Sequence, residues 1–234
     1  MNRFSLAIWM MVAMTALAGL AHAQLKVNPN QAAILRWYAA NRTTAFAAGN
    51  SPWAVAFDGS SIWVSNYLSN NVTKLRASDG LNLGNFNVGT LPIGVAFDGS
   101  IIWVANYGSN NVTKLRTSDG FDLGTFNVGT GPYGLAFDGV SIWVANNLSN
   151  NVTKLRASDG LDLGNFNVGA GPVGVAFDGA NIWVANSGSN TVSKLRASDG
   201  ALQGTFAVGS APLDLAFDGA NIWVTNGDNT VSKL

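Results

Sequence analysis

The chain has 234 residues, 47% of them hydrophobic and 11% charged, with 13 basic and 13 acidic side chains and a formal net charge of zero. That content supports a sizeable core and argues against disorder. The neutral balance argues against nucleic-acid binding and against electrostatic membrane binding, since both need a basic surface. Cysteine is absent, all 13 acids are Asp, and the one histidine is His22, so disulfides, thiolate chemistry and cysteine-held metals are excluded.

The first element in chain order is a leader. Arg3 is followed by a mostly apolar run from Phe4 to about Leu20, and Ala21-His22-Ala23 stands before Gln24. A positive start, an apolar run and a small-residue end read as an export signal cleaved after residue 23, rather than as a membrane anchor of the same length. No other stretch is long enough to span a bilayer. The expectation is an exported protein, periplasmic or extracellular, with a lead-in over residues 24–33 and a single domain over residues 34–234. Without the leader the chain has no His, Cys or Glu. Nucleophilic catalysis with an imidazole base and His-ligated zinc are then excluded. Asp, Lys and Tyr remain for acid–base chemistry, and an oxygen-ligated calcium site stays open.

After a short stretch of ambiguous periodicity near residues 31–40, the chain repeats every 40 residues. The Trp of I-W-V stands at Trp63, Trp103, Trp143, Trp183 and Trp223. A Phe recurs at Phe46, Phe86, Phe126, Phe166 and Phe206. Each period holds four short strand signals. In the second full repeat these run from Gly94 to Phe97, closed by Asp98-Gly99; from Ile101 to Asn106; from Val112 to Arg116, closed by Ser118-Asp119-Gly120; and from Leu123 to Val128. Asp-Gly pairs between β-branched and aromatic runs are hairpin signals. Four antiparallel strands per period of about 40 residues is the pattern of an all-β fold, the β-propeller, built of four-stranded blades. The first two strands of each period are nearly continuous apolar runs. The Trp of I-W-V is therefore expected between blades.

The pattern W-V-A-N-x-x-S-N-x-V-x-K-L followed by x-V-G-x-x-P-x-G-x-A-F-D-G resembles the Tyr-Val-Thr-Asn propeller repeats, with Trp223-Val224-Thr225-Asn226 the nearest copy. It is also similar to the NHL and streptogramin-lyase-like propellers. The resemblance covers about residues 34–234 and implies the fold. It does not imply one activity, because such propellers host many roles. Lyases of the related group are expected to rely on a catalytic His, and none follows the leader.

Residues 49–208 hold four full repeats. Residues 209–234 hold the opening of another, and residues 34–48 resemble the end of one. The expectation is five blades, the last shared between the two ends of the sequence, which removes unpaired strand edges. The alternative is a piece of a larger propeller.

The turn residues Asp58, Asp98, Asp138, Asp178 and Asp218 read as turn chemistry rather than as a carboxylate ring. Lys74, Arg76 and their copies are expected to form exposed pairs with turn Asp. Asn66 and its copies are expected to bond their own loop. The positions that vary between repeats are the candidates for function. Trp53 and Tyr133 follow the strand-entry Pro. Tyr67 and Tyr107 open the loop after the second strand. Asp214 stands where other repeats have Ala54 or Gly. In an up-and-down blade these positions share one end, so Trp53, Tyr67, Tyr107, Tyr133 and Asp214 are expected at the mouth of a central channel. Aromatics with an acid suit a sugar or another small polar ligand. The reading is a monomeric, non-enzymatic scaffold for a small polar ligand, glycan or protein, with no catalytic residue, metal or cofactor assigned. The alternative is a lyase- or lactonase-like enzyme using Asp and a divalent metal.

Overall fold

The computed structural model describes residues 45–234. The leader, the lead-in, the ambiguous stretch near residues 31–40 and the first part of the segment 34–48 lie outside the described residues. Those described form nineteen strands and no helix.

The strands make five sheets, each ordered as in the sequence and antiparallel throughout. The first holds β1 (Pro52–Phe57), β2 (Ser61–Asn66), β3 (Asn71–Arg76) and β4 (Asn82–Asn87). The second holds β5 (Pro92–Phe97), β6 (Ile101–Asn106), β7 (Asn111–Arg116) and β8 (Asp122–Asn127). The third holds β9 (Pro132–Phe137), β10 (Ser141–Asn146), β11 (Asn151–Arg156) and β12 (Asp162–Asn167). The fourth holds β13 (Pro172–Phe177), β14 (Asn181–Asn186), β15 (Thr191–Arg196) and β16 (Leu202–Ala207). The last has three strands, β17 (Pro212–Phe217), β18 (Ile222–Asn226) and β19 (Val231–Lys233). The first strands of neighbouring sheets run side by side, β1 by β5, β5 by β9, β9 by β13 and β13 by β17. This is the blade arrangement of a β-propeller.

Each turn has a local chemical cause. The Asp58 carboxylate accepts the backbone N–H groups of Ser60 and Ser61 at 2.8 and 2.6 Å, and its second oxygen accepts the Trp63 indole N–H at 2.7 Å. Burial pushes the Asp58 carboxyl up, but the Trp63 indole and the two backbone donors outweigh it and hold the group below its ordinary value. The same indole–carboxylate bond recurs in every sheet. The Asp of F-D-G is thus both turn residue and Trp anchor. The loop after the second strand turns on Asn70, whose φ of 52° is left-handed, as are those of Asn110, Asn150 and Asn190. Asn tolerates that region better than most residues. Asn66, expected to bond its own loop, instead reaches across it to β3, donating to Asn71 and Thr73, both at 2.8 Å, while its Oδ1 accepts the Gly49 N–H at 3.0 Å.

The core lies between sheets. Trp63 packs against Ile102, Val104 and Leu115 of the next sheet. Trp103 packs against Ile142, Val144 and Leu155. Both are fully buried. Trp223 departs from the sequence expectation and is 40% exposed, because no following sheet covers it among the described residues. Gly120 and its copies serve the same seams. A Cβ on Gly120 would stand 2.2 Å from the Phe86 ring of the preceding sheet, so only glycine lets that ring lie flat. Phe46 lies on Gly80 in the same way.

The Lys expectation is corrected. Lys74 is buried. Its ammonium lies 5.1 Å from the centre of the Trp63 ring and donates to the carbonyls of Thr117 and Ser118 in the next sheet, at 2.6 and 3.3 Å. Lys114 and Lys154 repeat this. The reason is geometric: the Lys stem runs along the Trp face and reaches a carbonyl pair across the seam before it reaches water. Only the Arg residues form the exposed pairs. Arg76 meets Asp79 at 2.6 Å through a two-point contact, Arg116 and Arg156 do the same with Asp119 and Asp159, and Arg196 makes a single contact with Asp199 at 2.9 Å.

Candidate functional site

The site is built at the entry to each first strand. The register between the first and second strands slips between Pro52 and Val55, and again at Pro92, Pro132, Pro172 and Pro212. The irregularity spans the one or two residues after the Pro and re-aims their side chains. The entry is tied to the loop after the second strand of the same sheet. The backbone N–H groups of Tyr67 and Tyr107 donate to the carbonyls of Ser51 and Leu91 at 2.9 and 3.0 Å. It is also tied to the preceding sheet, since Asn70 Oδ1 accepts the Leu91 N–H and Asn110 Oδ1 accepts the Gly131 N–H, both at 2.9 Å. The entry and loop positions therefore share one end of the sheets and are held there by backbone bonds.

At this end the first strands line an open cavity of about 440 Å³. That is within the size of small-molecule sites. Trp53, Tyr133, Leu213 and Asp214, at the strand entries, form its rim, and Val55, Val95, Leu135 and Val175 continue the lining along the strands. The strands approach closely along it. A Cβ on Gly94 would stand 2.1 Å from the Tyr133 carbonyl oxygen, and one on Gly134 would stand 2.3 Å from that of Val173. Glycine is required at both.

Four of the five candidate residues form one aromatic cluster. Trp53 lies 5.5 Å from Tyr67, ring centre to ring centre, and meets Tyr133 edge-on at 6.4 Å. Tyr107 meets Tyr133 from another side, also edge-on at 6.4 Å. Edge-on contacts of this length are favourable. Trp53 and Tyr133 line the cavity, while Tyr67 and Tyr107 touch them without lining it. Burial raises the Tyr133 phenol above its ordinary value. Asp214 is exposed at the same rim, with one carboxylate oxygen accepting the Leu215 N–H at 2.9 Å. No three His, Cys, Asp or Glu side chains group as a metal site among the described residues.

Two features of the site have no mark in the reading of the variable positions. Much of the cavity wall is made by Val55, Val95, Leu135 and Val175, three places after each strand-entry Pro, which look like ordinary core. The Ser65 hydroxyl, where three other sheets have Ala, donates to the Ile93 carbonyl at 2.6 Å and joins the first two sheets beneath Trp53. A Ser between Val and Asn on a buried strand is the available signal.

Repeated four-stranded sheets around a cavity lined by their first strands define a β-propeller-like repeat protein with an aromatic-rimmed pocket. No family model matches the chain, and no curated protein does. Solved structures do match. A catalytically inactive virginiamycin B lyase from Staphylococcus aureus, solved with quinupristin, is 19% identical, covering 80% of this chain and 68% of its own, with a TM-score of 0.69. Hydrazine synthase of Kuenenia stuttgartiensis is 21% identical, covering 79% of this chain and 58% of its own, with a TM-score of 0.67. A computationally designed protein is 14% identical, covering 78% of this chain and 57% of its own, with a TM-score of 0.69. This chain therefore spans less than two thirds of the hydrazine synthase and of the designed protein. At these identities the likeness shows the fold alone.

Proposed function

We propose that this is an exported, non-enzymatic propeller that binds a small polar ligand at the mouth of its central cavity. The observation that carries the reading is the convergence of Trp53, Tyr133 and Asp214 on the rim of one cavity of about 440 Å³. Apolar walls with a few convergent polar groups are the usual make-up of a binding site. Export rests on the leader at residues 1–23. The test is a glycan and metabolite screen on residues 24–234, read as a shift in melting temperature. A ligand that stabilises the protein, with the gain lost in Trp53→Ala, supports the reading. Ligands whose effect survives that change refute the site.

The ring is proposed to have five blades, with residues 34–48 supplying the outer part of the last. The support is the repeat register, in which Leu35-Arg36 matches Leu75-Arg76, together with Phe46 lying on Gly80 as Phe86 lies on Gly120. Deletion of residues 24–48 is expected to lower the melting temperature sharply or cause aggregation through exposed strand edges. An unchanged monomer of unchanged stability refutes the shared blade.

A further inference from the structure

We propose that the ligand at the cavity mouth is an organic cation, a tertiary or quaternary ammonium group on a compact apolar body. This rests on the reading of the mouth as a binding site and names the chemistry it selects. The geometry points to it in three ways.

The rim offers ring faces and edges. Trp53 is 53% exposed, yet it is fixed by contacts with Tyr67 and Tyr133. A rigid, exposed indole beside a phenol is a surface for a soft cation, because the negative faces of aromatic rings attract positive charge.

The charge of the mouth has one sign. Among the described residues, Asp214 is the only charged one lining the cavity. Asp228 stands at the same end, in the loop after β18, where its carboxylate accepts the Ser210 N–H at 2.7 Å. Every Lys and Arg among the described residues lies in the second half of a third strand. Lys74, Lys114 and Lys154 are spent on carbonyls of the next sheet's far turn, and the four Arg on the Asp of their own far turns. Among the described residues no cation therefore offsets Asp214 at the mouth.

The lining offers few polar side chains for a sugar. Among the described residues the polar side chains of the lining are Trp53, Tyr133 and Asp214, and the rest are Val, Leu, Ile, Ala and Gly. A sugar ring carries several hydroxyls, and each one buried without a partner weakens binding. An ammonium group with methyl substituents needs no such partners. It needs aromatic faces, one counter-charge and an apolar wall.

The test is isothermal titration of the purified protein with choline, with the neutral isostere of choline in which carbon replaces nitrogen, and with maltose. Choline is expected to bind about tenfold or more tightly than its isostere. Asp214→Asn is expected to weaken choline by about tenfold while leaving the isostere unchanged. Trp53→Ala is expected to abolish both, with an unaltered melting curve showing that the variant is folded. Equal binding of choline and isostere overturns the inference, as does choline binding indifferent to both substitutions. Maltose binding lost in Trp53→Ala, with no choline binding, overturns the cation and leaves the mouth standing. Silence from all three probes overturns the cation, and only a silent wider screen removes the mouth with it.

Discussion

Trp103 and Trp53 are chemically identical and structurally opposite. Trp103 is fully buried between two sheets and anchored to Asp98 at 2.8 Å, while Trp53 is half exposed at the rim. Trp103→Ala is expected to cost about 3–5 kcal/mol, as for a large buried side chain, and Trp53→Ala within about 1 kcal/mol. Denaturant melts of the two variants measure the difference, and equal losses would mean that core and rim are assigned wrongly. This contrast was legible in the residues. Trp103 sits between Ile102 and Val104 in every period, and Trp53 occupies a position that changes in each. The Lys role was not legible, because its partner is a pair of backbone carbonyls in the next sheet, which no side-chain pattern records. Lys114 donates to the carbonyls of Ala157 and Ser158 at 2.8 and 2.9 Å. Lys114→Met keeps the stem on the Trp103 face and removes both bonds. It is expected to destabilise by about 1–3 kcal/mol, read as a drop in the denaturation midpoint. A neutral result would show that packing alone holds this seam.

The far turns set the acid limit of the sheets. The Arg76 fork, with help from the Leu81 N–H, holds the Asp79 carboxyl down to about 2, and Asp119 and Asp159 behave alike. A carboxyl lowered in the folded state contributes stability above its unfolded value near 3.8 and loses that contribution as pH falls through the folded value. The expected outcome is a melting temperature that falls as pH is lowered from about 4 toward about 2, with a shallower fall when Arg76, Arg116 and Arg156 are all replaced by Ala. The same slope in that variant would assign the acid sensitivity elsewhere. These pairs are exposed, so each adds little at neutral pH. The strands themselves were readable to within two residues. The Gly94–Phe97 signal begins two residues late, because β5 starts at Pro92. A Pro at a strand's first residue carries no pattern of its own.

At the scale of the whole molecule, one period is spent on two tasks at opposite ends of each sheet. The far turns take nearly all the charge, and the near ends take the aromatic variation that faces the cavity. Gly134 shows how closely the first strands are drawn together, since a Cβ there would stand 2.3 Å from the Val173 carbonyl oxygen. Gly134→Ala is expected to force β9 and β13 apart and cost about 1–3 kcal/mol; an unchanged melt would mean that the strands yield freely. That the variable residues share one end could be read from the up-and-down order of the strands. That Trp53 and Tyr133 touch could not, because they stand two sheets apart and their contact depends on how tightly the glycines close the centre. The central claim is that recognition happens at this mouth. The most direct measurement is a nuclear magnetic resonance titration of nitrogen-labelled protein with choline. The account predicts shifts at the Trp53 indole N–H and at the backbone of Tyr133 and Asp214, with the Trp103 indole and the turn from Arg116 to Gly120 unmoved. Shifts confined to the far turns, or spread evenly around the outer strands, would contradict it.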